Sequence, residues 1–252
     1  MTIFEPGTAR LTQPHSDRHI ANIPQISIII PVLNEAPTLP PTLKKLQGIK
    51  GIEVIVVDGG SQDETVTIAQ SFSVQVITTA AGKARQMNAG AAIATGDTIL
   101  FLHGDTQLPD AFNHWIEQIL SQPQIIAGAF ELEIAAPVLA LRWVEFGVKM
   151  RSRYCQLPYG DQALFMKTQT FRDIGGFPDL PIMEDFALVR QLQKRGKIAI
   201  APVPVITSAR RWQQIGILQT TLINQIVIIG YLLGIPSPTL AQWYRARKRK
   251  NL

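Results

Sequence analysis

A single cysteine, Cys155, stands in the 252 residues. No disulfide framework and no cysteine-built metal cage can form within the chain, and a reducing compartment suits it. The four histidines show no zinc spacing. Residues 1–24 hold no apolar run long enough for a secretory core, so they read as a flexible tail. No internal repeat and no low-complexity block is present, which excludes solenoids and disordered tracts. Nor is there an uninterrupted apolar run of membrane-spanning length. The nearest approach is "QQIGILQTTLINQIVIIGYLLGIP" (213–236). Gln219, Thr220, Thr221, Asn224 and Gln225 break it and leave only Ile226 to Ile235 continuous. That is half of the roughly 20 residues a span needs.

What is present is 46% hydrophobic residues, enough for a sizeable core, and a net charge of +5 from 24 bases and 19 acids. The excess is uneven, since "YRARKRK" (244–250) holds five bases and no acid. Such a tail suits an anionic surface or a solvated terminus. Together with Arg210 and Arg211 it flanks the 213–236 segment with positive charge. That segment reads first as an interfacial helix, next as a packed core helix and last as a span.

The first half alternates regularly. "ISIIIPV" (26–32), "EVIVVDGG" (53–60), "VQVITT" (74–79) and "TILFLHGD" (98–105) carry buried-strand runs. Helical patterns separate and follow them at 36–47, 61–72, 82–96 and 109–122, with Ser61 as an expected N-cap and Asp63 in the first turn. This order predicts an α/β domain with a mostly parallel sheet flanked by helices. Further on, 125–134 reads as a strand, 137–154 as a basic amphipathic helix, and 183–196 as a helix that opens on two acids and closes on bases and Gly196. Ligands in such folds bind beyond the carboxyl ends of the strands. Asn34-Glu35, Asp58-Gly59-Gly60 and His103-Gly104-Asp105 all fall there. An apolar strand that stops at Asp105 is a candidate metal edge, with His103 standing where a second carboxylate is expected.

"IIPVLNE", "VIVVDGGSQDET", "GKARQMNAG", "FLHGDT", "GDQALFM", "GGF" and "MEDFALVRQL" follow one another in the order and spacing of the family-2 glycosyltransferases. The resemblance covers roughly residues 25–212. "LHGDT" followed by "GDQALFM" is most similar to a small bacterial subgroup filed near arsenosugar-biosynthesis enzymes and glycosyltransferases of carotenoid acids. The resemblance implies a GT-A nucleotide-sugar-binding domain over 25–212, a divalent metal (Mg²⁺ or Mn²⁺), and inversion at the anomeric carbon. Residues 213–252 then form an apolar helix with a basic tail.

Carried over residue by residue, the family pattern makes Pro31, Asn34, Glu35, Asp58, Gly59 and Gly104 the donor nucleotide site. Arg85 joins them for a reason of its own. A cation at a helix N-terminus opposes the dipole and needs a ligand to justify it. Asp105 holds the metal, and His103 is either a second ligand, better suited to Mn²⁺ than to Mg²⁺, or a neutral contact to ribose. Asp185 is the general base and Glu184 its supporting acid, against the alternative that both only complement a helix dipole. Gly160 and Asp161 line the acceptor side. Arg211, or its neighbour Arg210, clamps the pyrophosphate, with Trp212 as a wall. The Gln that opens the related motif in many relatives is missing here, since Thr207 and Ser208 precede Ala209.

The expectation is an inverting, metal-dependent transfer of a sugar, most simply from a UDP-sugar. The acceptor is a sugar, a lipid-like molecule or another small molecule bearing a hydroxyl or carboxylate. Peripheral membrane contact at the inner face of the cell membrane and a cytoplasmic location go with it, and nucleic acid does not. The rival reading is a non-catalytic nucleotide-sugar-binding subunit with a degenerate metal motif. A nucleotidyltransferase is less suited, because "PVLNEAPT" is not a glycine-rich phosphate loop.

Overall fold

The computed structural model describes residues 25–249, with side chains through Tyr244. The expected tail at 1–24 and the side chains of the basic cluster beyond Tyr244 lie outside the described residues. In chain order the first elements are β1 (Ile26–Val32), α1 (Leu39–Leu46), β2 (Ile52–Asp58), α2 (Thr65–Ser71), β3 (Gln75–Thr78), α3 (Lys83–Ile93), β4 (Thr98–Phe101), β5 (Thr106–Gln107) and α4 (Phe112–Leu120). They continue with β6 (Ile125–Ala135), α5 (Leu139–Tyr154), a 3-10 turn at Gly160–Gln162, β7 (Phe165–Lys167), α6 (Thr168–Asp173) and α7 (Glu184–Leu192). The last are β8 (Lys197–Ser208), α8 (Arg210–Ile215), α9 (Ile217–Leu232) and α10 (Ser237–Arg249).

The strands form one sheet in the order β3-β2-β1-β4-β7-β6-β8-β5. β3, β2, β1 and β4 pair in parallel, as do β6 and β8, and β7 is inserted antiparallel between β4 and β6. The mostly parallel expectation therefore holds. Alternation along β1 explains why the sheet is covered on both faces. Ile28, Ile30 and Val32 pack with Leu39, Leu43, Phe112 and Ile116 from α1 and α4. Ile29 points the other way, to Met87, Phe171 and Leu188 from α3, α6 and α7.

Two glycines permit the closest approaches. A Cβ on Gly90 of α3 would lie 2.6 Å from Ile29 Cγ2, and one on Gly128 of β6 would lie 2.4 Å from Phe165 Cζ. Phe165 is fully buried and has no room to retreat. Gly128→Ala is therefore expected to destabilise the fold by about 1–3 kcal/mol through overpacking, read as a lower urea midpoint at unchanged slope.

Several local expectations need correction. Helix α2 starts at Thr65 rather than near Ser61, because Asp63 accepts hydrogen bonds from the Thr65 amide and hydroxyl while Ser61 bonds Asp58. Strand β8 was not expected at all, since Pro202 and Pro204 argue against a strand. The sheet accommodates them with a register shift, in which Phe130 pairs with Ala201 and Glu131 with Pro204. The 213–236 segment is not one helix. Gly216 (φ +93°) separates α8 from α9, and α9 ends before Gly234. Among the described residues no helix is long and apolar enough to cross a membrane.

Candidate active site

A cavity of about 930 Å³ opens where β1, β4 and β8 end. That is at the upper end of the volumes small-molecule sites occupy, ~300–1,000 Å³. One side is charged, with Glu35, Lys83, Asp105, Glu184, Asp185 and Arg210 among its lining groups. The other is apolar, formed by Ile182, Met183 and Phe186 near the start of α7 and by Val227, Ile228 and Ala241 from α9 and α10.

The turn after β4 is pinned from three directions. Gly104 has room for no side chain without strain, since its Cβ would lie 3.2 Å from Val32 Cγ1. The Thr42 hydroxyl of α1 donates to the Gly104 carbonyl at 2.9 Å. The Ser208 amide donates to the Asp105 carbonyl at 3.2 Å, and Thr106 and Thr207 bond through their hydroxyls at 3.0 Å. The unexpected strand β8 thereby sets Arg210 beside Asp105. The Arg210 guanidinium pairs with Glu35 at 2.8 Å and stands 3.9 Å from Asp105.

Burial, and then the like charge of Glu35, push the Asp105 carboxyl above the usual range, with Arg210 and Lys83 opposing. Two carboxylates that repel each other and share one guanidinium form a site suited to a cation. Among the described residues no three His, Cys, Asp or Glu side chains gather as a metal cage. A metal on Asp105 and Glu35 would therefore draw most of its ligands from phosphate and water oxygens, as Mg²⁺ commonly does.

His103 sits deep in the cleft. Burial, then Lys83 and Arg211, hold its ring well below the ordinary histidine range, so it is neutral at physiological pH. Its Nε2 accepts from the Lys83 ammonium at 3.3 Å. The structure thus gives His103 a lysine partner on that nitrogen rather than leaving it free.

At the opposite wall, Met183 adopts a left-handed backbone (φ +71°) immediately before α7. Such strain in a non-glycine residue concentrates at functional sites. It turns Glu184 and Asp185 into the cavity. Asp185 Oδ2 accepts the Gly160 amide at 2.8 Å, and Oδ1 accepts the Phe186 amide at 2.7 Å, so the carboxylate is fixed in orientation. Glu184 is buried, and burial followed by the Asp185 charge raises its carboxyl.

Asp161 projects from the 3-10 turn, and its Oδ1 is buried without a hydrogen-bond partner. Burial raises its carboxyl, with Asp185 adding to the shift and Arg151 opposing it. A carboxyl that holds its proton more tightly folded than unfolded favours the fold at acid pH. It loses that advantage as pH rises from the unfolded value through the raised folded one. Asp161→Asn is accordingly expected to raise the melting temperature by a few degrees near about pH 7 and not near about pH 3. A differential-scanning series over pH reads this directly.

Of the expected site residues, Pro31, Asn34, Glu35, His103, Gly104, Asp105, Asp161, Glu184, Asp185, Arg211 and Trp212 line the one cavity. Gly160 touches it through its bond to Asp185. Asp58, Gly59 and Arg85 are not among the lining residues. The Asp58 carboxylate, 2% exposed, accepts from the Gly60 amide at 2.8 Å and from Ser61, and so forms the turn after β2. Gly59 packs against Gln86, whose amide donates to the Val32 and Val57 carbonyls and ties the ends of β1 and β2 together. Arg85 is exposed and forms a two-pronged pair with Asp179, which supplies the second reason its place at a helix start required. Lys83, Tyr159 and Asn224 were not anticipated as lining groups. Lys83 carried a usable signal, a cation two residues before Arg85 on the same helix start. Asn224 carried none, being one of several polar breaks in an apolar run. It accepts from Arg211 at 2.6 Å.

Residues 27–135 match the model of "Glycosyl transferase family 2". A PGL/p-HBAD biosynthesis glycosyltransferase of Mycobacterium bovis is 40% identical over 97 residues, which is 35% of this chain and 38% of that protein. A 4,4'-diaponeurosporenoate glycosyltransferase of Staphylococcus haemolyticus is 34% identical over 104 residues, 38% of this chain and 27% of the relative. The chain thus aligns with well under half the length of these relatives. Among solved structures, the mannosyltransferase PcManGT from Pyrobaculum calidifontis, in complex with GDP-Man and Mn²⁺, superimposes with a TM-score of 0.59. It is 21% identical, over 73% of this chain and 56% of its own. S. aureus TarS in complex with UDP gives a TM-score of 0.60 at 17% identity, over 73% of this chain and 60% of its own. These likenesses establish a GT-A fold.

Proposed function

Residues 27–135 are a family-2 glycosyl transferase domain, and on that premise we propose that the chain transfers a sugar, with inversion, from a nucleoside diphosphate sugar to an acceptor held against α7 and α9. The observation that carries this reading is that Asp105 and Asp185, one at each wall, face the same cavity. Pro31, Asn34 and Glu35 take the nucleoside, and a UDP-sugar is the donor proposed. UDP in the complex of one structural neighbour supports that choice, and GDP-Man in another keeps guanosine donors in the assay.

Lys83, Arg210 and Arg211 supply positive charge where the diphosphate lies. A divalent ion held by Asp105 and Glu35 would neutralise the charge that builds on the departing phosphate oxygen. Asp185 accepts the proton of the acceptor hydroxyl as the acceptor oxygen bonds to the anomeric carbon and the carbon–phosphate oxygen bond breaks. With a carboxylate acceptor there is no proton to take, and Asp185 only orients it. The apolar wall of Ile182, Met183, Phe186 and Val227 supports a lipid-like acceptor, and the exposed residues of α9 support peripheral membrane contact.

One observation favours the non-catalytic alternative. Arg210 and Lys83 already neutralise the groups a metal would use. Donor hydrolysis separates the two readings. The transferase is expected to release UDP slowly from UDP-sugars without acceptor, and chelation is expected to stop it. A pure binding subunit binds the donor and releases nothing.

A further inference from the structure

Helix α5 lies outside the catalytic cleft, yet it carries an apolar stripe with no partner. Leu139, Trp143, Phe146, Met150 and Tyr154 recur every three or four residues, the spacing of one helix face. Their exposures run from 41% for Met150 to 77% for Leu139 and Tyr154. The opposite face is engaged. Leu141 is buried, and Val144 and Val148 pack on the sheet core. Helix α9, which packs against α5, repeats the arrangement. Ile223 and Val227 are buried against Met183 and Phe186, while Leu218, Leu222, Ile229, Leu232 and Leu233 are exposed. A helix that is apolar all round belongs in an apolar surrounding, and α9 has one on its inner side alone.

Charge identifies what covers the outer side. Residues 186–252 contain eleven Lys and Arg and no Asp or Glu. Helix α5 adds Arg142, Lys149, Arg151 and Arg153 against one acid of its own, Glu145. Lys149 and Arg153 share the single carboxylate of Glu131, which leaves that cluster positive. A second copy of the chain would bring the same positive surface against itself, as a two-fold interface must. An anionic bilayer surface meets both the apolar stripes and the excess charge. Helix α9, 16 residues and so about 24 Å long, is too short to span the ~30 Å hydrocarbon layer, and it lies on the surface instead.

We infer that α5, through Trp143 and Phe146, is a second membrane-docking element that works with α9 to seat the protein on an anionic lipid surface. This rests on the peripheral-membrane reading above and adds a site to it. The test is co-sedimentation of the full chain, without donor or metal, with vesicles of phosphatidylcholine alone or with about one-third phosphatidylglycerol. The wild type is expected to partition into the anionic vesicles at least about tenfold more strongly than into the neutral ones. Trp143→Ser with Phe146→Ser is expected to lose about tenfold of that binding while its melting curve is unchanged, both side chains being exposed. Undiminished binding in this variant, alongside loss in Leu222→Ser with Ile229→Ser, overturns the role of α5 and leaves the C-terminal reading standing. No vesicle binding by the wild type overturns both. A wild-type dimer by light scattering that the α5 variant dissolves identifies the face as a contact between copies and overturns the lipid assignment. None of these outcomes depends on sugar transfer, so the proposed activity stands or falls separately.

Discussion

Asp185→Asn is expected to reduce transfer by about 10²–10⁴-fold, the usual contribution of a positioned general base. Donor binding should change by no more than about twofold, since the interaction lost is made only in the transition state. The geometry makes this a clean substitution. Asp185 Oδ2 accepts the Gly160 amide and Oδ1 accepts the Phe186 amide. An asparagine keeps one acceptor for the Gly160 amide, which fastens the acceptor loop to α7. What it cannot do is take a proton. Glu184 stands next to it with a raised carboxyl, and Glu184→Gln separates the two roles. A supporting acid should cost less than the base, and the reverse order of losses would exchange the assignments. Steady-state transfer and nucleotide titration of both variants decide it.

Asp105→Ala is expected to lower transfer and donor hydrolysis together by about 10²–10³-fold, in line with removal of one electrostatic stabiliser of a leaving group. It should also abolish the dependence on added metal. Arg210 makes the expectation specific. With Asp105 gone, the guanidinium remains paired to Glu35, so the site keeps its fold and loses its cation-binding character. The Lys83 bond to His103 Nε2 bears on which ion serves. With that nitrogen engaged, Mg²⁺ and Mn²⁺ should support activity about equally, because carboxylate and phosphate oxygens accept either. A marked preference for Mn²⁺ would place His103 on the metal and Lys83 elsewhere. Metal titrations of wild type and Asp105→Ala are the measurement.

The parallel half of the sheet was legible in the sequence because its strands are both continuous in apolar character and regularly spaced by helices. The β-branched run of β1 could be buried on both faces and nowhere else. The second half was harder, for identifiable reasons. Strand β8 hides behind two prolines that a register shift absorbs, and no local pattern announces that shift. Without β8, the placement of Arg210 next to Asp105 and Glu35 could not be read, although each residue had been singled out. Asp58 shows the converse. An acid after a strand, followed by two glycines, fits a ligand contact and a turn equally well, and only the hydrogen bonds to Gly60 and Ser61 show the turn. Arg85 was selected by a sound argument about helix dipoles, but Asp179 lies 94 residues away and supplies the counter-charge. The cavity's apolar wall was legible only as an apolar segment, because its inward and outward faces are equally hydrophobic.

The central claim is that the cavity at the ends of β1, β4 and β8 is a metal-assisted nucleoside diphosphate site. Calorimetric titration of UDP into the full chain tests it most directly, in Mn²⁺, in Mg²⁺ and after chelation, with GDP in parallel. The account predicts one site per chain, with binding that requires the divalent ion and is lost in Asp105→Ala but retained in Asp185→Asn. Absence of binding by UDP and GDP with either metal, in a chain that melts cooperatively, would contradict it.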